Sequence, residues 1–385
     1  MIRFLLRMSV LMLLACAVSG CTDFIEPNQL AFVMGTAVDH ADDGEVEVSH
    51  QIVIPTQKSG PFGGSGDSDS FVVMSAKGKN EFEAIHKVQK KMTRRLMPSH
   101  RQLIAISEQY FQKDDVSTLF DKLNRDPANN LRDITVLVKG DLAKNFLLLD
   151  HPMEHLSSIA TGKEMEINGM NRFSTRQFII DSLSEGTRPL VPVLQIEQVK
   201  VRSKETGPIA ALSGFAALNK KLKIAGFLND AEGAGAVWMS GKGTFHAITL
   251  PWKNGKDTLS FRLTHLRRRI DSADGHDPQR VVLTVMAQAY LLENTTSLDL
   301  SETHYMLEVQ KYMNDKIRED LQLTMDKVQE WGSDVFGIGE YLHRSSPYWW
   351  KSQKDDWDHK FEDLDVTVRS NVQLRSVGAS GTSFN

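Results

Sequence analysis

Cysteine is nearly missing from this chain: 385 residues hold two, Cys16 and Cys21. Both lie near the N-terminus, so the rest of the chain can carry neither a disulfide framework nor a cysteine-ligated metal. Long apolar runs are missing too, and after residue 18 none reaches the roughly 20 residues that a spanning helix needs. No single sign of charge dominates. The 45 basic and 49 acidic side chains leave −4, which exerts no global pull on nucleic acid. Catalytic signatures are equally scarce. There is no Gly-x-Ser-x-Gly elbow, no His-Glu-x-x-His and no phosphate-binding loop, so the commonest hydrolase, metalloprotease and nucleotide-binding readings have no support. No cofactor and no catalysis are expected.

What is present starts at the N-terminus. Arg3 and Arg7 precede the apolar stretch from Met8 to Val18, and small Ser19 and Gly20 follow. These are the three parts of an export signal, and Val18-Ser19-Gly20-Cys21 is a lipobox. In bacterial lipoproteins of this pattern the Cys21 thiol takes a diacylglyceryl group, and cleavage makes that cysteine the new N-terminus. Two acyl chains at ~0.8 kcal/mol per buried CH₂ anchor stably where one is marginal. Removal of residues 1–20 takes the net charge from −4 to −6 by loss of the two arginines. The remainder is long enough for two or three domains and is expected to fold outside the cytoplasm.

Hydrophobic spacing then predicts the elements. Leu30–Asp39 reads as a buried strand, and Val46, Val48, His50, Ile52 and Ile54 share one face of a second strand after the turn Asp42-Asp43-Gly44. Residues 56–70, rich in Gly, Ser and Asp, read as a flexible loop. Asn80 with Glu83 starts a helix carrying Phe82, Ile85, Val88, Met92 and Leu96 inward, stopped by Pro98. Strands are expected at 102–107 and 133–139, with helices at 116–123, 142–149 and 174–183. A domain boundary is placed near residue 190, giving 21–190 as a mixed α/β domain. Beyond it β signals dominate, at 194–201, 210–218, 226–228, 236–239, 245–250, 259–263 and 281–292. A long amphipathic stripe follows through Met306, Val309, Met313, Ile317, Leu321, Thr324, Val328, Trp331 and Val335. Leu364, Val366, Val368, Val372 and Leu374 close the chain as a strand. The expected fold class is α+β, multi-domain, with mixed sheets and a long C-terminal helix packed on a β-rich region that splits near 271–278.

Two basic clusters are candidate contacts for anionic headgroups or an acidic partner: Lys90, Lys91, Arg94 and Arg95, and the triplet Arg267, Arg268 and Arg269. Charged outer faces are in general simply solvated. His151 and His155 flank Glu154 at helical metal spacing, although Pro152 opposes a helix there. Asp355, Asp356, Asp358 and His359 have the chemistry of a hard-cation site, or of a solvated loop. Trp331, Trp349 and Trp350 fit either interface anchors or core.

The chain resembles the Ger(x)C spore germination lipoproteins. The likeness starts at Cys21-Thr22-Asp23 with Glu26, Asn28, Leu30, Ala31, Val33, Gly35, Ala37 and Asp39, departing at Thr22, where the family commonly has tryptophan. It continues through 51–55, through Leu123–Pro127 with Leu131-Arg132, and through Gly214–Leu218 with Lys221-Leu222 and Gly226–Leu228. It ends with Asp334–Gly339, His343-Arg344, Pro347, Trp349, Trp350 and Lys351. The resemblance implies a non-catalytic C subunit of a nutrient germinant receptor, lipid-anchored on the outer face of the inner spore membrane. It also implies two polytopic partner subunits, one of them transporter-like, and three mixed α/β domains. A solute-binding lipoprotein of an importer is the rival reading, and it requires two lobes of alternating helices and parallel strands. An anchored hydrolase requires a carboxylate pair or metal triad in a cleft.

Overall fold

The computed structural model describes residues 26–53, 71–170, 172–202, 205–253, 255–272 and 278–376, together with Arg3, Phe4 and Met8. β1 (Leu30–His40) and β2 (Val46–Val53) form the expected hairpin in the register Thr36↔His50 and Val38↔Val48. Asp43 and Gly44 turn it at φ 65° and 74°, a region that Asp tolerates and Gly adopts freely. β3 (Phe71–Gly78) adds antiparallel to β2.

α1 (Glu81–Gln89) begins as expected, with Asn80 Oδ1 accepting from the Glu83 N–H at 2.9 Å. It stops at Gln89, well short of Pro98. Residues 95–97 form β4 (Arg95–Met97), parallel to the start of β1. Met92 and Leu96 therefore pack at the sheet edge with Ala31, Val33 and Ile52 rather than on a helix. Gln89 fixes the change: its Oε1 accepts from the Leu96 N–H and its Nε2 donates to the Arg94 carbonyl, both at 2.9 Å. The inward face of α1 is Glu81, Ala84 and Val88, while Phe82 is 68% exposed. Glu81 is drawn inside by the Tyr110 hydroxyl, which donates to it.

The chain then alternates: β5 (Leu103–Ser107), α2 (Glu108–Lys113), α3 (Val116–Arg125), β6 (Ile134–Val138), α4 (Ala143–Leu147), the small hairpin β7 (Asp150–His151) and β8 (His155–Leu156), α5 (Ser157–Ile167), α6 (Thr175–Leu183) and β9 (Leu190–Arg202). β1, β5, β6 and β9 lie parallel at the centre of the larger sheet. Successive side chains serve opposite faces, so Ala105 and Val136 pack under Phe146 of α4, and Ile104 and Leu137 under Phe111 and Leu119 of α2 and α3. β10 (Glu205–Leu218) and β11 (Ile224–Leu228) extend the sheet antiparallel beyond β9. The larger sheet thus runs across the position of the boundary expected near residue 190.

α7 (Asp230–Met239) occupies the place where a strand was expected at 236–239. A reciprocal cap decides it: Glu232 N–H donates to Asn229 Oδ1 at 3.0 Å and Asn229 N–H to Glu232 Oε2 at 2.9 Å. β12 (Phe245–Pro251), β13 (Thr258–Ser272) and β14 (Arg280–Asn294) form an antiparallel meander. Of the division expected near 271–278, residues 273–277 lie outside the described residues, and the strand ends on either side pair at Ser272↔Val281.

α8 (Thr303–Gln329) buries Val309, Met313, Ile317, Leu321, Thr324 and Val328, the predicted stripe. Trp331 and Val335 lie past its end, where Gly332 takes φ 60°. Three short helices that the spacing did not reveal follow, α9 (Ile338–Ser345), α10 (Pro347–Gln353) and α11 (Trp357–Asp363). β15 (Asp365–Ser376) then pairs parallel with β14 at the edge of the second sheet. The fold is α+β, with mixed sheets and the long helix on the β-rich region. One continuous core runs through both sheets, from Phe146 and Phe215 to Leu263, Met313 and Val368.

Candidate functional site

Cys21 and the lipobox residues Val18, Ser19 and Gly20 lie outside the described residues, as does the whole of the loop expected at 56–70. The described chain resumes at Glu26 and enters the sheet at Leu30. Leu30 pairs with Arg95, Ala31 with Leu96 and Phe32 with Met97. The first basic cluster is thereby fixed beside the point where the N-terminal segment joins the fold. Lys90, Lys91, Arg94 and Arg95 are all exposed, and Lys91 Nζ donates to the Ser75 carbonyl at 2.7 Å.

The second cluster is divided by its strand. Residues alternate across β13, so Arg267 and Arg269 face solvent while Arg268 turns inward. Arg268 Nη1 donates to the carbonyls of Met239, at 2.7 Å, and of Phe336. Arg269 is paired with Asp271 at 2.8 Å. The triplet is therefore not one surface patch, and Arg268 cannot reach a headgroup.

Arg268 belongs instead to a polar seam where the two sheets' layers meet. There a cavity of about 650 Å³ is lined by Arg172, Asp181, Lys242, Arg268, Glu340 and Arg344, among others. Lys242 Nζ donates to Asp181 Oδ2 at 2.6 Å, with both side chains nearly buried. Arg188 donates to the carbonyls of Ser184, Glu185 and Thr187 and to the Asp358 carboxylate. Asp334 organises the turn after α8, accepting N–H bonds from Phe336 and Ile338 at 3.1 Å and from Gly339 at 2.7 Å, and from Trp357 Nε1 at 3.2 Å. Burial pushes its carboxyl pKa up, while those bonds act to lower it. Sequence spacing missed this seam, because Arg188 and Lys242 are single residues in breaker-rich segments and their partners lie far along the chain. The charges are engaged by backbone or by an opposite charge, an arrangement that holds structure together.

The metal candidates resolve in the same way. His151 and His155 face each other across the β7–β8 hairpin and not along a helix. His155 Nδ1 lies 3.1 Å from Asp150, His151 Nε2 3.5 Å from Glu164, and Glu154 pairs with Lys163 at 2.7 Å. Asp358 serves Arg188, and His359 lies 3.7 Å from Glu362. Among the described residues no group of three or more His, Cys, Asp or Glu is placed to hold a metal ion. Trp350 is buried edge-on against Trp357, ring centroids 5.0 Å apart, and Trp331 lies over Gly226.

Two of the residues that carry the family likeness have structural roles. Asp39 is buried and caps α4 from the neighbouring strand, accepting from the N–H groups of Ala143 at 2.7 Å and Lys144 at 2.9 Å. Gly35 leaves room for Leu147 and Ser158, which a β-carbon there would meet at 2.8 and 2.9 Å.

Two family models match the chain: "Spore germination protein N-terminal domain" over residues 23–196 and "Spore germination B3/GerAC like, C-terminal" over residues 213–378. Spore germination protein KC of Bacillus subtilis (strain 168) is 26% identical over 388 residues, covering 96% of this chain and 95% of the relative. Spore germination protein B3 of the same organism is 21% identical over 382 residues, covering 97% and 98%. The crystal structure of the GerBC protein shares the fold at a TM-score of 0.54 and 16% identity, covering 92% of this chain and all of that one. With both halves matched in order, and the fold shared end to end, this chain belongs to the Ger(x)C family of spore germination proteins.

Proposed function

We propose that this chain is the lipid-anchored C subunit of a spore nutrient germinant receptor and acts there as a non-catalytic scaffold. The observation that carries the reading is the span of the family likeness, which begins at residue 23, just after Cys21, and runs to residue 378. No helix among the described residues is long and apolar enough to cross a membrane; in this reading acylated Cys21 supplies the attachment, on the outer face of the inner spore membrane. The partners are two polytopic subunits, docked on the folded layers. The rival importer component would repeat the parallel-strand unit in a second lobe, whereas the second sheet here is a meander with one parallel pair, β14 and β15.

Co-purification of the tagged protein from detergent-solubilised membranes of sporulating cells tests the reading. Retention of two polytopic proteins, one transporter-like, is the expected result, and retention of an ATP-driven permease would overturn it. Cys21→Ala is expected to give a folded protein that fails to support germination. Normal germination by an unacylated mutant ends the tethering part.

A further inference from the structure

The root of the N-terminal tether carries a cationic face. Cys21 is nine residues before Leu30, so a lipid on Cys21 holds Leu30 within about 30 Å of the bilayer, the fully extended reach of that segment. Arg95 is the strand partner of Leu30, about 5 Å away across a ladder. Lys90, Lys91 and Arg94 precede it on the same short turn and are exposed. Lys87, on the same helix, is paired with Glu83 at 2.9 Å. Among the described residues Lys90, Arg94 and Arg95 are in no ion pair. Along α1 and its C-cap residue Lys90, the positions Phe82, His86 and Lys90 are four apart, so they share one exposed face. Phe82 stacks on His86 at 6.4 Å and is 68% exposed. An exposed aromatic beside unpaired cations is the composition of an interfacial helix that meets anionic headgroups.

We propose that α1 and the turn to β4, through Phe82, Lys90, Arg94 and Arg95, form a docking face for an anionic lipid surface that orients the fold beside its tether. The acyl chains then fix distance, and this face fixes which side of the molecule turns to the bilayer. The proposal rests on the lipid-anchor reading for its geometry, but the headgroup contact is measurable without the acyl group.

A chain beginning at residue 22 lacks the lipidated cysteine and keeps every described core residue, the first of which is Leu30. Its co-sedimentation is measured with vesicles of phosphatidylcholine alone and of equal parts phosphatidylcholine and phosphatidylglycerol. Binding is expected to the anionic vesicles only, and to fade as salt shortens the screening length. Lys90→Gln/Arg94→Gln/Arg95→Gln is expected to weaken it roughly 100-fold, from the contribution of each surface cation. Lys220→Gln/Lys221→Gln/Lys351→Gln, which lowers net charge equally at exposed positions elsewhere, is expected to leave it within about threefold, since distant charges are screened. Equal binding to both vesicle types, or equal losses in the two triple variants, overturns the docking face. Failure to bind either vesicle overturns it as well and leaves these cations to an acidic protein surface. None of these outcomes depends on acylation of Cys21, which the mass of the native protein reports separately.

Discussion

Asn314 on α8 and Val372 on β15 are joined by two hydrogen bonds: Asn314 Oδ1 accepts from the Val372 N–H at 2.7 Å, and Nδ2 donates to its carbonyl at 2.8 Å. Gln310 repeats the contact with the Leu374 N–H at 2.8 Å. Gln322 accepts from Val368 N–H at 2.8 Å and donates to the Val366 carbonyl at 3.0 Å. β15 is an edge strand, and these amides replace the strand that its outer edge lacks.

Asn314→Leu removes both partners of Val372 while keeping the bulk. Each backbone group left unpaired costs about 1–3 kcal/mol, and in a chain of this size each kcal/mol lowers the melting temperature by about 1–2 °C. A calorimetric scan is expected to show a fall of a few degrees. A variant that melts with the wild type refutes the edge-satisfying role.

His50 gives the fold an acid-sensitive component. Burial pushes its imidazole down to about 3, with the charges of Arg101 and Lys122 acting the same way, while Thr36 Oγ1 lies 3.0 Å from Nδ1. In the unfolded chain the ring takes a proton near pH 6.5, so between about 6.5 and about 3 the unfolded state binds one proton more. Stability is therefore full above pH 6.5 and is lost as pH falls through that window. By pH 5 the loss from this residue is about 2 kcal/mol. Urea midpoints of wild type and His50→Gln across the same pH series are expected to converge on acidification by that amount. Parallel curves rule out the assignment.

Gly226 and Trp331 are matched in size. A β-carbon at Gly226 would sit 2.3 Å from the indole carbons, so Gly226→Ala forces a shift costing about 1–3 kcal/mol. Combining it with Trp331→Leu opens the space, and the double variant is expected to lose less than the sum of the single losses. Strict additivity would falsify the packing account.

The long elements were legible because their patterns repeat. Val46, Val48, His50 and Ile52 name a strand face, and Val309 through Val328 name a helix face without help from the rest of the chain. Residues 92–97 misled because Met92 and Leu96 satisfy a helical spacing as well as a sheet edge, and the choice is made by hydrogen bonds to β1, more than sixty residues earlier. Residues 236–239 misled because a short apolar run has no period of its own, and the cap at Asn229 lies outside it. The basic triplet at 267–269 looked continuous in one dimension, and a strand's period of two separated it. Of the candidate contacts, the exposed cluster near Arg95 was visible as charge. Its position beside Leu30 was not, since pairing between distant segments leaves no local trace.

The pairing of β9 with β10 has a consequence for dissecting the molecule. The two family models meet between residues 196 and 213, and that interval holds the end of β9 and the start of β10, which are hydrogen-bonded neighbours. A cut placed there unzips the longest hairpin of the larger sheet. It leaves β9 as a bare, apolar margin on one fragment and β10, still paired with β11, as a bare margin on the other. The two stretches recognisable along the sequence thus share one sheet and one core, so parting them exposes in each what the other covers.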